Sequence, residues 1–442
     1  MRIKPLCSEI LKLICLSTGI SVSGVVSSTL AEDNDQPELS LKGYIEYAVK
    51  NSPGIEAAKR NSKVLKLEYQ NSFTLPDPSI KAGYYGSEVE TRVGPQKFRM
   101  GASQKIPWPG KLYGKHRASV YRYRSSEEKK RDVENLLISE IRKKYVQIYL
   151  IGRKLDIIRQ NLELLDRFES VLTTRYETSS ADKLPLIKTR VERVRVMDRI
   201  KSLETKGENL KRQLLALISY DPPLDIPYPD TLRLSEDTAG LEHALAEVKR
   251  SNPVLTGFDR KVKEAEAKVQ AAKHNFGPDI MVSADYIFTD ESSMNPPPDD
   301  NGKDPWIIGT SLNIPLWWGS KSREIQKVEE MRKVRIEKRR DAEKRLLAKT
   351  ENLYHLRSDA LRKAKLYRDV LTPHSEQSIS LVEEKYKNGN ASFLDYIDSW
   401  KTLLELRISY EENIAEFEIL SSKIDKLVSK NFTEAQGDRA AE

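Results

Sequence analysis

Between Gly110 and Tyr176 the chain runs for about 67 residues without an internal proline, and its apolar residues keep a step of seven. Ile141, Ile148, Leu155 and Leu162 form one series; Ile151, Ile158, Leu165 and Leu172 form a second on the adjoining line. Two interleaved heptad series mark a coiled-coil seam, because 3.5 residues per turn keep both lines facing a partner helix. At 1.5 Å per residue such a helix is roughly 100 Å long, which no ordinary globular domain needs. A second proline-free run is expected over 319–372, and shorter returning helices over 186–219 and 395–430, each after a turn.

The long runs belong to two copies of one unit. "AVKNSPGIEAAKRNSKV" (48–64) is echoed by "EVKRSNPVLTGFDRKVKEAEAKV" (247–269), Pro78 by Pro278, and "QKIPWPGK" (104–111) by "LNIPLWWGSK" (312–321). Tyr176, Ala181 and Leu184 match Tyr386, Ala391 and Leu394, so the offset drifts only from 200 to 210. Each unit opens with a helix, expected over 53–74 and 253–275, followed by two strand-like runs. In "KFRMGASQKI" Phe98, Met100, Ala102 and Ile106 fall on one side, and Lys97, Arg99, Ser103 and Lys105 on the other. "WIIGTSLNI" separates Trp306, Ile308, Leu312 and Ile314 from Gly309, Ser311 and Asn313 in the same way. Period-two alternation predicts strands with one apolar and one polar face.

Composition fits long charged helices better than a thick core: 32% charged residues, 38% hydrophobic and 7% aromatic. The net charge of +8 is spread along the helices, whereas nucleic-acid binding needs a concentrated basic face. Residues 1–31 read as an export signal: Arg2, Lys4 and Lys12, an apolar run, and a small-residue cleavage point after Ala31. The run is shorter than a membrane-spanning helix requires. Removing it subtracts three positive charges and one negative, leaving +6. Cys7 and Cys15 lie inside it, so the mature chain is expected to lack disulfides, and neither cysteine follows the small residue that lipidation requires.

Strands of about nine to eleven residues have the length that crosses a membrane when tilted. Four per chain cannot close a barrel, and an open sheet edge cannot face lipid. Closure therefore needs several chains; three would supply twelve strands, within the range of outer-membrane barrels. The arrangement of tandem repeats, paired strands, long helix and turn resembles the TolC family of outer-membrane efflux ducts over essentially the whole mature chain. The most specific segments are "QKIPWPGKLYGK" and "YKNGNASFLDYID", the first similar to members that serve heavy-metal and other cation pumps. The resemblance implies a mainly α fold with β: a trimeric twelve-strand barrel continued by a periplasmic α-helical barrel. It implies an outer-membrane location, and partnership with a periplasmic adaptor and an inner-membrane pump of RND type. The strand-to-helix junctions that carry it are Pro107, Pro109, Gly110, Pro315 and Gly319.

In that family the tip turns form a closing iris, and an acidic pair on the returning helix rings the constriction. Asp395 and Asp398 match the pair, and their spacing of three puts them on one helix face. In a trimer six carboxylates would converge, raising the pKa of some and attracting cations. The plain alternative is a capping box, Ser392 with Asp395, and one residue can serve both ends. Tyr386 is read either as part of a tip latch or as a packed seam residue; the latch arginine of the family is replaced here by Ala391. Asp182 aligns with Ser392 as a helix cap, and Pro185 stands where repeat two has Asp395. Thr178, Ser179, Ser180 and Ala181, with Asn388, Gly389, Asn390 and Ala391, match the tip loops where adaptor hairpins dock, and Gly389 is expected at a positive φ.

No nucleophile motif, phosphate loop or zinc spacing appears, and the five histidines are scattered, so no enzyme activity, metal site or cofactor is expected. Asp290, Glu291, Asp299, Asp300 and Asp304 could hold a divalent cation, but their proline-rich setting reads as a solvated loop. Trp108, Trp306, Trp317 and Trp318 sit at strand ends and suit a membrane-interface belt, with packing between barrels as the alternative. The expected organisation is a signal (1–31), a first segment with its helix (32–77), hairpin one (78–107) and the long helices with tip turn of repeat one (108–219). An equatorial connection and helix (220–277), hairpin two (278–316), the helices and turn of repeat two (317–430) and a tail (431–442) follow. The function expected is a passive exit duct for metal cations or other small toxic compounds; the alternative is a periplasmic coiled-coil adaptor or scaffold.

Overall fold

The computed structural model describes residues 37–178, 183–232, 240–296, 298–388 and 390–429; the expected signal (1–31) and tail (431–442) lie outside them. The chain divides into residues 1–38 and residues 39–442, and the elements below belong to the second unit. Ser40 opens α1 (Leu41–Asn51) by accepting from the Gly43 N–H at 3.0 Å. Ser52 then opens α2 (Pro53–Gln70), where Pro53 occupies the first turn and its missing N–H costs no hydrogen bond. A 3₁₀ turn, Asn71–Phe73, completes the expected helix; α1 was not anticipated.

The chain then forms β1 (Ser79–Val89) and β2 (Gln96–Ile106), followed by the 69-residue α3 (Pro109–Glu177) and α4 (Lys183–Ile218). The same order returns in α5 (Leu241–Ser251), also unanticipated, α6 (Pro253–Lys273), β3 (Asp279–Thr289) and β4 (Trp306–Asn313). Next come α7 (Trp318–Leu366), α8 (Thr372–Lys387) and α9 (Phe393–Val428). The helical run expected to stop at residue 372 instead continues to Lys387. A π-helical turn, Tyr367–Leu371, loosens the hydrogen-bond register just before Pro373, which therefore falls in the first turn of α8.

The four strands make one antiparallel sheet in the order β1-β2-β3-β4. Its register aligns Ile80, Ala102, Ala284 and Ile308 in one row, and Ala82, Met100, Tyr286 and Trp306 in the next. The opposite face carries Ser79, Ser103, Ser283 and Gly309 in one row, and pairs Arg99 with Asp285 at 3.1 Å. The apolar face stays uncovered in the single chain: Ile80 is 78% exposed and Ile308 67%. Among the described residues both outer strands, β1 and β4, keep one edge without a strand partner.

Of the eight heptad residues of α3, all but half-buried Leu162 are buried. Ile141, Ile148, Ile151 and Leu155 pack with Leu210, Leu214 and Ile218 of α4, and Tyr44 and Ile45 of α1 join that core. Residues 220–228 run across these helices. A Cβ added at Gly152 would fall 2.7 Å from the Tyr228 Cβ, and one at Gly207 would fall 2.2 Å from its hydroxyl. Both helices therefore need glycine where the Tyr228 ring lies.

Candidate functional site at the helix tips

Two turns meet at the end of the helices remote from the sheet. Thr178 closes α3, its hydroxyl donating to the Thr174 and Arg175 carbonyls at 3.1 Å each. Ser179, Ser180, Ala181 and Asp182 lie outside the described residues. In the second turn Asn388 N–H donates to Glu384 O at 3.1 Å, and Asn390 N–H to Lys385 O at 2.8 Å. Gly389, expected at a positive φ, also lies outside the described residues, and half-buried Ala391 leads into Ser392.

Under the turns sits a small apolar core built from four helices: Leu172, Leu186, Ile379, Phe393, Tyr396 and Ile397. Tyr386 packs at its edge, stacked on Tyr396 with centroids 6.2 Å apart and planes within 5°. Its hydroxyl accepts from Arg175 Nη1 at 2.8 Å, and the Arg175 guanidinium lies 5.5 Å from its ring centroid. Tyr386 is thus both a packed seam residue and a hydrogen-bonded one. The expected loss of an arginine partner through Ala391 is met from the other turn, by an arginine the sequence reading missed. Its one sequence signal is adjacency to Tyr176, the repeat counterpart of Tyr386.

The capping box is present. Ser392 N–H and hydroxyl donate to Asp395 Oδ2 at 2.9 and 2.8 Å, and Asp395 N–H donates to Ser392 Oγ at 3.2 Å. Those bonds, the hydroxyl's first and the backbone's second, hold the Asp395 carboxyl below its ordinary pKa, against a small effect of burial. In the single chain the shift is therefore downward, opposite to the rise expected of crowded carboxylates. Asp398 is exposed one turn further along the same face, and its carboxylate makes no hydrogen bond or ion pair among the described residues. The site thus presents one carboxylate engaged by its own helix start and one available to solvent and cations.

At the opposite end of the helices Asp279 ties the two junction regions together. It accepts from Trp108 N–H at 3.1 Å and from Lys111 Nζ at 2.7 Å, with Lys105 Nζ at 3.2 Å. Pro107 precedes this contact and Pro109 takes the first turn of α3. Gly110 is needed for close approach, since a Cβ there would fall 2.4 Å from the His274 ring, whereas Gly319 meets nothing nearer than 4.0 Å. Pro315 lies between β4 and α7. In the loops beyond the sheet, Arg92 pairs with Asp300 and Lys97 with Asp290, while Asp304 accepts from Thr289 N–H at 2.7 Å. Three of the five loop carboxylates are thus engaged by their own chain.

A four-stranded sheet with one uncovered apolar face is thus joined to helices of up to 69 residues. Residues 244–412 match the model of the outer membrane efflux protein family. The chain is 22% identical over 334 residues to the pyoverdine export outer membrane protein OpmQ of Pseudomonas aeruginosa, covering 73% of this chain and 68% of that one. Its fold is shared with a membrane protein from Pseudomonas aeruginosa: TM-score 0.73, 16% identity, 88% and 90% of the two chains. It is also shared with the outer membrane protein VceC from Vibrio cholerae: TM-score 0.72, 14% identity, 89% and 96%. The match over these residues and the outer-membrane relative place the chain in the outer membrane of a Gram-negative-type cell, with its helical part in the periplasm.

Proposed function

We propose that three copies of this chain, each a duplicated unit, close a twelve-strand barrel continued by an α-helical barrel, and that the assembly is a passive exit duct. The observation that carries the reading is the sheet with one uncovered apolar face and two unpaired edges. An eleven-residue strand is about 36 Å long and, tilted near 45°, spans about 25 Å, the height of a lipid-facing band. Lipid can accept the apolar face, but only neighbouring strands can satisfy the edges. Detergent extraction from membranes and a heat-labile trimer on a gel are the expected results. A lone molecule that needs no detergent would overturn the duct and leave the coiled-coil scaffold.

In this reading Asp395, Asp398 and Tyr386 form the periplasmic gate, and residues 178–181 and 388–391 dock an adaptor protein that links the duct to an RND-type pump. The junction segment supports metal cations or other small toxic compounds as cargo; OpmQ is named for pyoverdine export, so that comparison itself adds no metal. Single-channel conductance with divalent cations on the tip side tests the gate. Asp398→Asn is expected to relieve cation block more than Asp395→Asn, because the Asp395 carboxylate is already engaged by Ser392. Unchanged block in both variants removes the acidic ring from the constriction.

A further inference from the structure

Both strand-to-helix junctions share a texture that the duct reading leaves unused. From Trp306 to Arg323 the chain has no aspartate or glutamate. Leu316, Trp317 and Trp318 are 75%, 82% and 69% exposed, and Lys321 and Arg323 follow within about one and a half turns. From Trp108 to Ser126 there is again no acid; Tyr113 is exposed, and the Arg117 guanidinium lies 5.7 Å from its ring centroid. Lys115, Lys321 and Arg323 make no ion pair among the described residues. Further along α7 the pattern changes: Lys327 pairs with Glu324, Lys333 with Glu330 and Arg340 with Glu337. Among the described residues Lys115, Lys321 and Arg323 thus lack the ion-pair partner that Lys327, Lys333 and Arg340 each have three residues away further along α7. Asp279, at the same level, is already bracketed by Lys105 and Lys111.

We propose that the two junctions form a collar that binds anionic phospholipid headgroups of the periplasmic leaflet. Lys115, Arg117, Lys321 and Arg323 contact the phosphates, and Trp317 and Trp318 seat at the acyl boundary. The inference rests on the reading that the strands span the bilayer. At 1.5 Å per residue these four cations lie roughly 4 to 12 Å along their helices from the helix starts. That is the depth of a headgroup layer once long side chains reach back toward the interface. The charge decides the lipid: an acid-free basic surface next to an aromatic belt attracts an anionic headgroup and is neutral toward a zwitterionic one.

Single-tryptophan forms of the full-length trimer, the others changed to Phe, test this in phosphatidylcholine vesicles. Each contains brominated phosphatidylglycerol or brominated phosphatidylcholine as the quencher. With Trp317 alone, the brominated phosphatidylglycerol is expected to be preferred about five-fold at low salt. The preference should fall to about one when Lys115, Arg117, Lys321 and Arg323 are all changed to Gln. With Trp306 alone, on the apolar sheet face, both lipids should quench equally. Equal quenching of Trp317 by the two lipids overturns the collar. Quenching of Trp306 but not Trp317 also overturns it, since another copy then covers the junction. No quenching of Trp306 overturns the spanning sheet itself.

Discussion

Ile308→Arg is expected to abolish the heat-labile trimer in the outer membrane, while Ser311→Arg, three residues along the same strand, leaves it in place. The two positions differ in face and little in depth: each is two residues from an end of the eight-residue β4. Ile308 lies in the row with Ala284, Ala102 and Ile80 on the uncovered apolar side, and Ser311 lies opposite Met281 on the polar side. A guanidinium facing lipid near mid-depth costs about 2 to 4 kcal/mol per chain, so three copies carry roughly 6 to 12 kcal/mol in one assembly. Facing a water-filled lumen, it keeps its hydration and alters only selectivity. The measurement is the fraction of unheated trimer in extracted membranes for each variant. Equal loss in both would mean that the two faces are not differently solvated, and the sheet is then no barrel wall.

Much of this sheet was legible because its chemistry is written at period two, which survives without knowledge of partners. The heptad lines of α3 were legible for the same reason, and Ser392 with Asp395 announced a helix start through a three-residue spacing that acts locally. What escaped was either short or remote. The 11-residue α1 and α5 carry too few turns to separate their pattern from loop, and single capping residues, Ser52 and Asn252, join them to the next helices. Arg175 reaches Tyr386 across 211 positions, and its place beside Tyr176, the repeat counterpart of Tyr386, hints at that meeting without encoding it. The glycines at 152 and 207 show their purpose only once Tyr228 is laid across them. At the tip, sequence therefore located the acidic pair but not the contacts that differ between its members. Asp395 is committed to its helix start and Asp398 is not.

Glu411→Ala is expected to destabilise the folded helices by about 3 kcal/mol, and Glu411→Gln by only about 1 kcal/mol. The α3–α4 seam is apolar, but α3 meets α9 through polar groups. Ser139 lies against Ser422, Arg142 against Asp425, and Tyr149 and Arg153 against Glu411. Tyr149 donates its hydroxyl to Glu411 Oε2 at 2.9 Å, and Arg153 Nε donates to Oε1 at 3.1 Å; the Glu411 side chain is 7% exposed. Alanine strands both donors, although Arg153, at 37% exposed, still reaches water and keeps the cost at the low end. Glutamine retains one acceptor and the shape. Burial first, and the Glu411 charge second, push the Tyr149 hydroxyl well above its ordinary pKa. A raised folded pKa contributes stability that is full below about pH 10 and is lost as pH rises through the folded value. Tyr149→Phe should therefore lower stability at neutral pH and flatten the alkaline decline, which Tyr44, pushed up to about 12 by burial, continues to share. Urea midpoints of the detergent-solubilised protein at pH 7 to 11 read both effects. If glutamine costs as much as alanine, the ion pair does not hold the seam. If instead the order stands, the helix that carries Asp398 to the tip is fixed in register by directional bonds thirteen residues behind it, and tip opening must pivot ahead of that point.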